Sequence, residues 1–214
     1  MSTNRLDFEV TGMDIDIVET IPIKWQGREI DSGPIHISLG APGSCGVIDY
    51  EAGTVEVEFR SQIQFPELAE ALEDLGADPS VYAPVQMVIR SKGSVLDGHC
   101  LRLAGKGTVG SHRLFSPDET RVDVRAPSQC KPDIGSGSGD EIRESLRNGK
   151  SVSWNFNPAE PRVELTLPQA LGGETHLLSL DGSYTLTVAD PNAARYVSDS
   201  NEACSVADPD SGCC

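Results

Sequence analysis

The stretch Thr54–Arg60, TVEVEFR, decides the fold class. Val55, Val57 and Phe59 alternate with Glu56, Glu58 and Arg60. A period of two places one set on each face of a β-strand, with the apolar set toward a core and the charged set toward water. Strands that are half buried in this way belong to antiparallel sheets, not to the continuously apolar strands of doubly wound folds.

Working outward from this stretch, the same alternation recurs along the body. Leu6, Phe8 and Val10 share a face, as do Met13, Ile15 and Ile17, then Ile21, Ile23 and Trp25, then Ile35, Ile37 and Leu39. Val85, Met87 and Ile89 follow, with Leu101 and Leu103, and Val122 and Val124. A later set comprises Val152, Trp154 and Phe156; Val163, Leu165 and Leu167; Leu178 and Leu180; Tyr184, Leu186 and Val188. With 21 Gly and 14 Pro among 214 residues, the composition favours many turns over long helices. The expected fold is mainly β: an antiparallel sandwich or barrel over residues 1–189, with one short packed helix and a disordered tail over 190–214.

Two segments break the alternation. PELAEALEDLG starts at Pro66, a residue suited to a first helical position, and Gly76 can end it. Leu68, Ala71, Leu72 and Leu75 form a stripe at helical spacing. A second short helix is expected over 140–148, with Ser138 and Glu141 as a capping box and Gly149 at the exit, but Ile142 and Leu146 give it only a thin apolar edge. The glycine-serine run within 129–140 reads as a linker, and the further strands over 151–188 are expected to complete the same sheet system rather than stand alone.

Lys and Arg number 17 against 33 Asp and Glu, a formal charge of −16. Such a chain repels phosphate backbones, so no nucleic acid partner is expected. No apolar run approaches the ~18 residues of a membrane-crossing helix. The start, MSTNRLDFEV, lacks the basic and apolar stretches of a signal peptide, so a cytoplasmic chain with reduced thiols is expected. On that reading Cys45, Cys100 and Cys130 are buried or idle rather than bridged.

The order of segments from Gly53 to Val124 resembles the YceI-like polyisoprenoid-binding family. The resemblance rests on GTVEVEFRS, the acidic helix, a strand after Tyr82-Ala83-Pro84, a turn at Asp97-Gly98, and a strand bearing Gly105, Gly107, Thr108 and Gly110. The N-terminal strand has no clear counterpart of that family's histidine-serine motif, and residues 131–214 lie outside the match. The resemblance implies a lipocalin-like barrel around an apolar chain, with inward positions such as Val57, Phe59, Met87 and Leu103 lining the cavity.

No stretch carries a specific catalytic signature. APGSCGV presents Ser44 and Cys45 between glycines, but a cysteine nucleophile needs a base that sequence spacing does not place. His99-Cys100 would point to opposite strand faces, a poor metal pair. The GSGSG run lacks the Gly-Lys-Ser/Thr ending of a phosphate loop. Beyond Asp190 the chain is acidic and small, with Cys204, Cys213 and Cys214 at its end. That tail is either incidental or a site for metal, modification or partner docking; an ending of the prenylated kind lacks basic residues upstream. The sequence therefore points to a non-catalytic binding protein for a small apolar ligand, with no cofactor. The alternative is an interaction module presenting the cysteine tail to a protein partner.

Overall fold

The computed structural model describes residues 5–41, 43–96, 100–125, 131–132, 139–155 and 162–189. The first part of the chain forms β1 (Arg5–Ile17), β2 (Pro22–Trp25), β3 (Arg28–Asp31), β4 (Ile35–Leu39), β5 (Ser44–Asp49) and β6 (Thr54–Gln64), then α1 (Pro66–Asp74). After it come β7 (Val85–Leu96), β8 (Cys100–Val109), β9 (Arg121–Arg125) and β10 (Lys131–Pro132), then α2 (Gly139–Arg147). β11 (Val152–Asn155), β12 (Arg162–Thr166), β13 (Thr175–Ser179) and β14 (Asp181–Val188) complete the described chain.

Among the described residues, all strands except the β2–β3 hairpin join one 12-stranded antiparallel sheet, in the order β10-β11-β14-β1-β4-β6-β7-β8-β9-β12-β13, with β5 bridging β1 and β6. The late strands are not a separate layer: β14 pairs along β1, and β12 pairs with β9. Among the described residues, strand pairing does not close this path. The chain nevertheless passes from β13 at one end of the order directly into β14 near the other, through Leu180 alone. The sheet therefore curls, and side chains from strands distant in the order share one core, such as Ile15 and Ile37 with Val163 and Leu178.

β1 supplies two apolar sets out of phase with each other. Val10 opposes Leu186, but Gly12 opposes Thr185, so one extra residue is inserted at Thr11. This bulge shifts the inward face from even to odd positions. Leu6, Phe8 and Val10 enter one cluster with Ile48, Val57 and Leu186, while Ile15 and Ile17 enter the other.

The two helices close opposite parts of this interior. α1 buries Leu68 and Leu72 against the cluster that holds Ile15 and Ile17, while Leu75 stands 38% exposed just beyond the last turn, contrary to the stripe read from spacing. The helix stops before Leu75 packs. Gly76 takes φ +72°, donates to the Glu73 carbonyl at 2.8 Å, and lets the Ala77 N–H reach the Leu72 carbonyl at 2.9 Å. These two bonds satisfy carbonyls that the helix end would leave open.

α2 is also packed, so the expectation of a single packed helix is corrected. Ile142 and Leu146 are thin as a stripe yet buried to 2% and 0% exposure, beside Trp154 and Leu186. Two well-placed side chains suffice for a short helix whose other faces meet water. Arg143 lies 5.5 Å from the Tyr50 ring centroid. Burial pushes the Tyr50 phenol up to about 12, against the opposing fields of Arg143 and Arg147. The expected linker over 129–140 falls mostly outside the described residues, as does the tail from 190.

Candidate functional site

The curled sheet leaves a cavity of about 100 Å³ in its interior. That is several times the space one water molecule needs, and of the order of an apolar cavity of ~150 Å³ that holds one benzene. Its walls come from widely separated strands: Ile15 of β1, Ile37 of β4, Phe59 of β6, Met87 of β7, Val122 of β9, Val163 of β12 and Leu178 of β13 all face it. These residues converge because each occupies the inward parity of its strand. No Asp, Glu, Lys, Arg or His lines it among the described residues.

Of the four positions proposed for a ligand cavity, Phe59, Met87 and Leu103 line this one. Val57 is buried but packs in the neighbouring cluster with Phe8, Val10 and Ile48. It is two residues from Phe59 on the same face of β6, about 7 Å further along the strand. The sequence reading did not single out Phe65, Phe115 or Thr120, which sit in connections rather than strands and so carry no period-two signal.

Phe65, immediately before α1, stacks on Phe115 of the β8–β9 connection with ring centroids 5.0 Å apart and planes 10° apart. His112 holds that connection. Its Nδ1 accepts the backbone N–H groups of Leu114 and Phe115 at 3.1 and 3.3 Å, which leaves Nε2–H to donate to the Ala83 carbonyl at 2.8 Å. This bonding pattern fits the neutral ring and gives His112 a structural task.

Three buried side-chain polar atoms lack a partner among the described residues: Thr120 Oγ1, Trp154 Nε1 and His176 Nε2. Only Thr120 belongs to the cavity wall. Ser91 and Tyr184 also line the cavity. Tyr184 is held between aromatic neighbours, edge-on to Phe59 at 5.6 Å and stacked with Trp154 at 6.0 Å.

Two charged arrangements lie on outward strand faces. Asp14, Asp16 and His36 cluster on β1 and β4, with His36 Nδ1 2.8 Å from Asp16 Oδ1 and 3.7 Å from Asp14 Oδ1. The cross-strand register Asp16–His36 produces it, and its carboxylates are exposed. Glu58, by contrast, is only 2% exposed although it points outward. Arg60 Nε at 3.0 Å and Arg90 Nε at 2.9 Å each donate to one of its carboxylate oxygens.

Across the strand pair from Glu58 stands Cys45. It is buried, as expected, but disulfide-bonded, which overturns its reading as an unbridged thiol. Spacing could not reveal this, because a bridge depends on which strands the fold brings together. The Cys100 side chain, Cys130, and the tail cysteines Cys204, Cys213 and Cys214 lie outside the described residues. No helix among the described residues is long and apolar enough to cross a membrane. Comparison of the chain with protein families, with curated proteins and with solved structures returns no match.

Proposed function

We propose that this protein binds a small, uncharged apolar molecule, about the size of one ring or a short alkyl chain, inside its curled sheet. The observation that carries the reading is the cavity itself: an apolar space of about 100 Å³ walled by inward residues of strands throughout the sheet. Protein interiors are ordinarily packed to crystal-like density, and an unfilled apolar space forfeits contacts that an apolar guest restores. The cavity is smaller than the ~300–1,000 Å³ of drug-sized sites, which sets the size of the guest. The resemblance of residues 53–124 to the YceI-like family supports the same kind of activity, a ligand held within antiparallel strands. Among the described residues, no Asp, Glu, His, Lys or Cys lines the cavity to activate the hydroxyls of Ser91, Thr120 or Tyr184, which favours binding over catalysis. The formal charge of −16 argues against a nucleic acid partner. The Cys45 disulfide favours an oxidising compartment over the reducing cytoplasm expected from the N-terminal sequence.

The test is titration with benzene and with cyclohexane, followed by methyl NMR. Shifts should concentrate on Ile37, Met87, Val122 and Val163, and the variant Val163→Phe should abolish them while remaining folded. Unchanged methyl signals at saturating concentrations of both probes would remove the proposal.

A further inference from the structure

Of the hydroxyl-bearing residues in the cavity wall, Ser91, Thr120 and Tyr184, Thr120 is the one with an unpartnered hydroxyl among the described residues. It precedes β9, is 6% exposed, and belongs to the cavity wall. Its backbone N–H is satisfied by the Ser116 carbonyl at 2.8 Å, but its hydroxyl has no partner among the described residues. A buried hydroxyl without a partner is unfavourable, and native structures seldom retain one without a reason. A bound water would remedy it poorly, because an ordered water wants two to four polar partners and this wall is almost wholly apolar. The Oγ1 atom is itself buried, out of contact with the open space. Meeting a ligand therefore takes one χ1 step, which carries the hydroxyl into the place now held by the Cγ2 methyl and the methyl into that of the Cβ hydrogen.

We infer that the ligand carries a single uncharged hydrogen-bonding group, a hydroxyl or a carbonyl, and that this group meets Thr120 Oγ1. This rests on the cavity being the ligand site. A threonine hydroxyl both donates and accepts, so it serves either group. A carboxylate or ammonium is disfavoured by chemistry: among the described residues no charged side chain lines the space, and a charge buried without a partner is very costly. The ligand class is thus a phenol, a small alcohol or a small ketone, oriented with its polar end toward the start of β9 and its apolar body among Ile37, Met87 and Val163.

The test compares phenol with toluene, a pair matched in size and differing in hydroxyl against methyl. Affinities are measured for the wild-type protein and for Thr120→Val and Thr120→Ser. The phenol-to-toluene affinity ratio should fall about ten-fold in Thr120→Val, the worth of one ordinary hydrogen bond, and stay near the wild-type ratio in Thr120→Ser. The free Thr120→Val protein should melt no lower than wild type, because the substitution removes a hydroxyl that has no partner. If neither probe binds the wild type, the cavity reading fails and this inference with it. If both bind but the ratio is the same in all three proteins, the cavity reading stands and the contact at Thr120 is overturned. A lower melting point for free Thr120→Val would also overturn it, by showing that the hydroxyl already has a partner.

Discussion

Glu19 and Ser179 lie 160 residues apart in sequence and meet in the fold: the Glu19 carboxylate accepts the Ser179 backbone N–H, with oxygens at 3.1 and 3.2 Å. Glu19 follows β1 and Ser179 ends β13, so this contact joins two parts of the curled sheet that strand pairing leaves apart. Arg162 adds its guanidinium at 4.0 Å. Burial pushes the Glu19 carboxyl up, but the hydrogen bonds from Ser179, with the field of Arg162, outweigh it and leave the group below its ordinary value of 4.5. A carboxylate depressed on folding contributes stability above its unfolded pKa, and that contribution is lost as pH falls through the lower folded value. Stability measured by denaturant between pH 6 and pH 3 should therefore fall less steeply in Glu19→Gln than in wild type. Parallel curves would show that the contact contributes nothing.

The end of α1 makes a sharper comparison. Leu72 is fully buried, and Leu72→Ala should cost about 2–5 kcal/mol. Leu75, 38% exposed, should tolerate alanine within about 0.5 kcal/mol. Gly76 at φ +72° should not: alanine there is strained, and Gly76→Ala should lose about 1 kcal/mol even though nothing lies near the added methyl. Urea denaturation of the three variants gives the ranking, and a Leu75 variant as damaged as the Leu72 variant would place the helix stripe where spacing alone put it.

Much of this architecture was legible in the sequence because the sheet obeys period two. TVEVEFR and its counterparts name the inward residues directly, and the change of phase between Val10 and Met13 records the bulge at Thr11. The same parity brought Phe59, Met87 and Leu103 to the cavity wall. Other features depend on contacts between distant segments and leave no local trace. Thr120 and Phe115 sit in a connection whose path is set by His112 and Ala83, not by alternation. Glu58 illustrates the limit most clearly. Its parity assigns it to water, as for Glu56, yet it is buried between two arginines.

That buried carboxylate supports a prediction about charge. Glu58 sits between Arg60, whose side chain is 15% exposed, and Arg90, whose side chain is 67% exposed. Removing the shared acid takes a buried carboxylate from between two guanidinium groups and breaks its pair with the mostly buried Arg60, so Glu58→Ala should destabilise by about 3–5 kcal/mol. Arg90→Ala leaves Glu58 with Arg60 and removes a solvated partner, and should cost about 1 kcal/mol or less. Chemical denaturation of both variants measures the asymmetry. Equal losses would mean that the solvent-exposed arginine is as important to Glu58 as the buried one.

The Cys45 bridge gives the last prediction. Cys45 lies on β5, which pairs with both β1 and β6, so a covalent tie at this strand restrains the part of the sheet where three strands meet. A disulfide acts largely by limiting the unfolded chain, typically by about 2–4 kcal/mol. Reduction with a phosphine should therefore lower the thermal midpoint, and Cys45→Ser should lower it without any further response from Cys45 to reductant. The chain has six cysteines, and one bridge consumes two. Alkylation of the unreduced, denatured protein should therefore label no more than four of them, and peptide mapping should find Cys45 unlabelled. Quantitative labelling of Cys45 in protein purified without reductant would show a free thiol, and the argument for an oxidising compartment would fall with it.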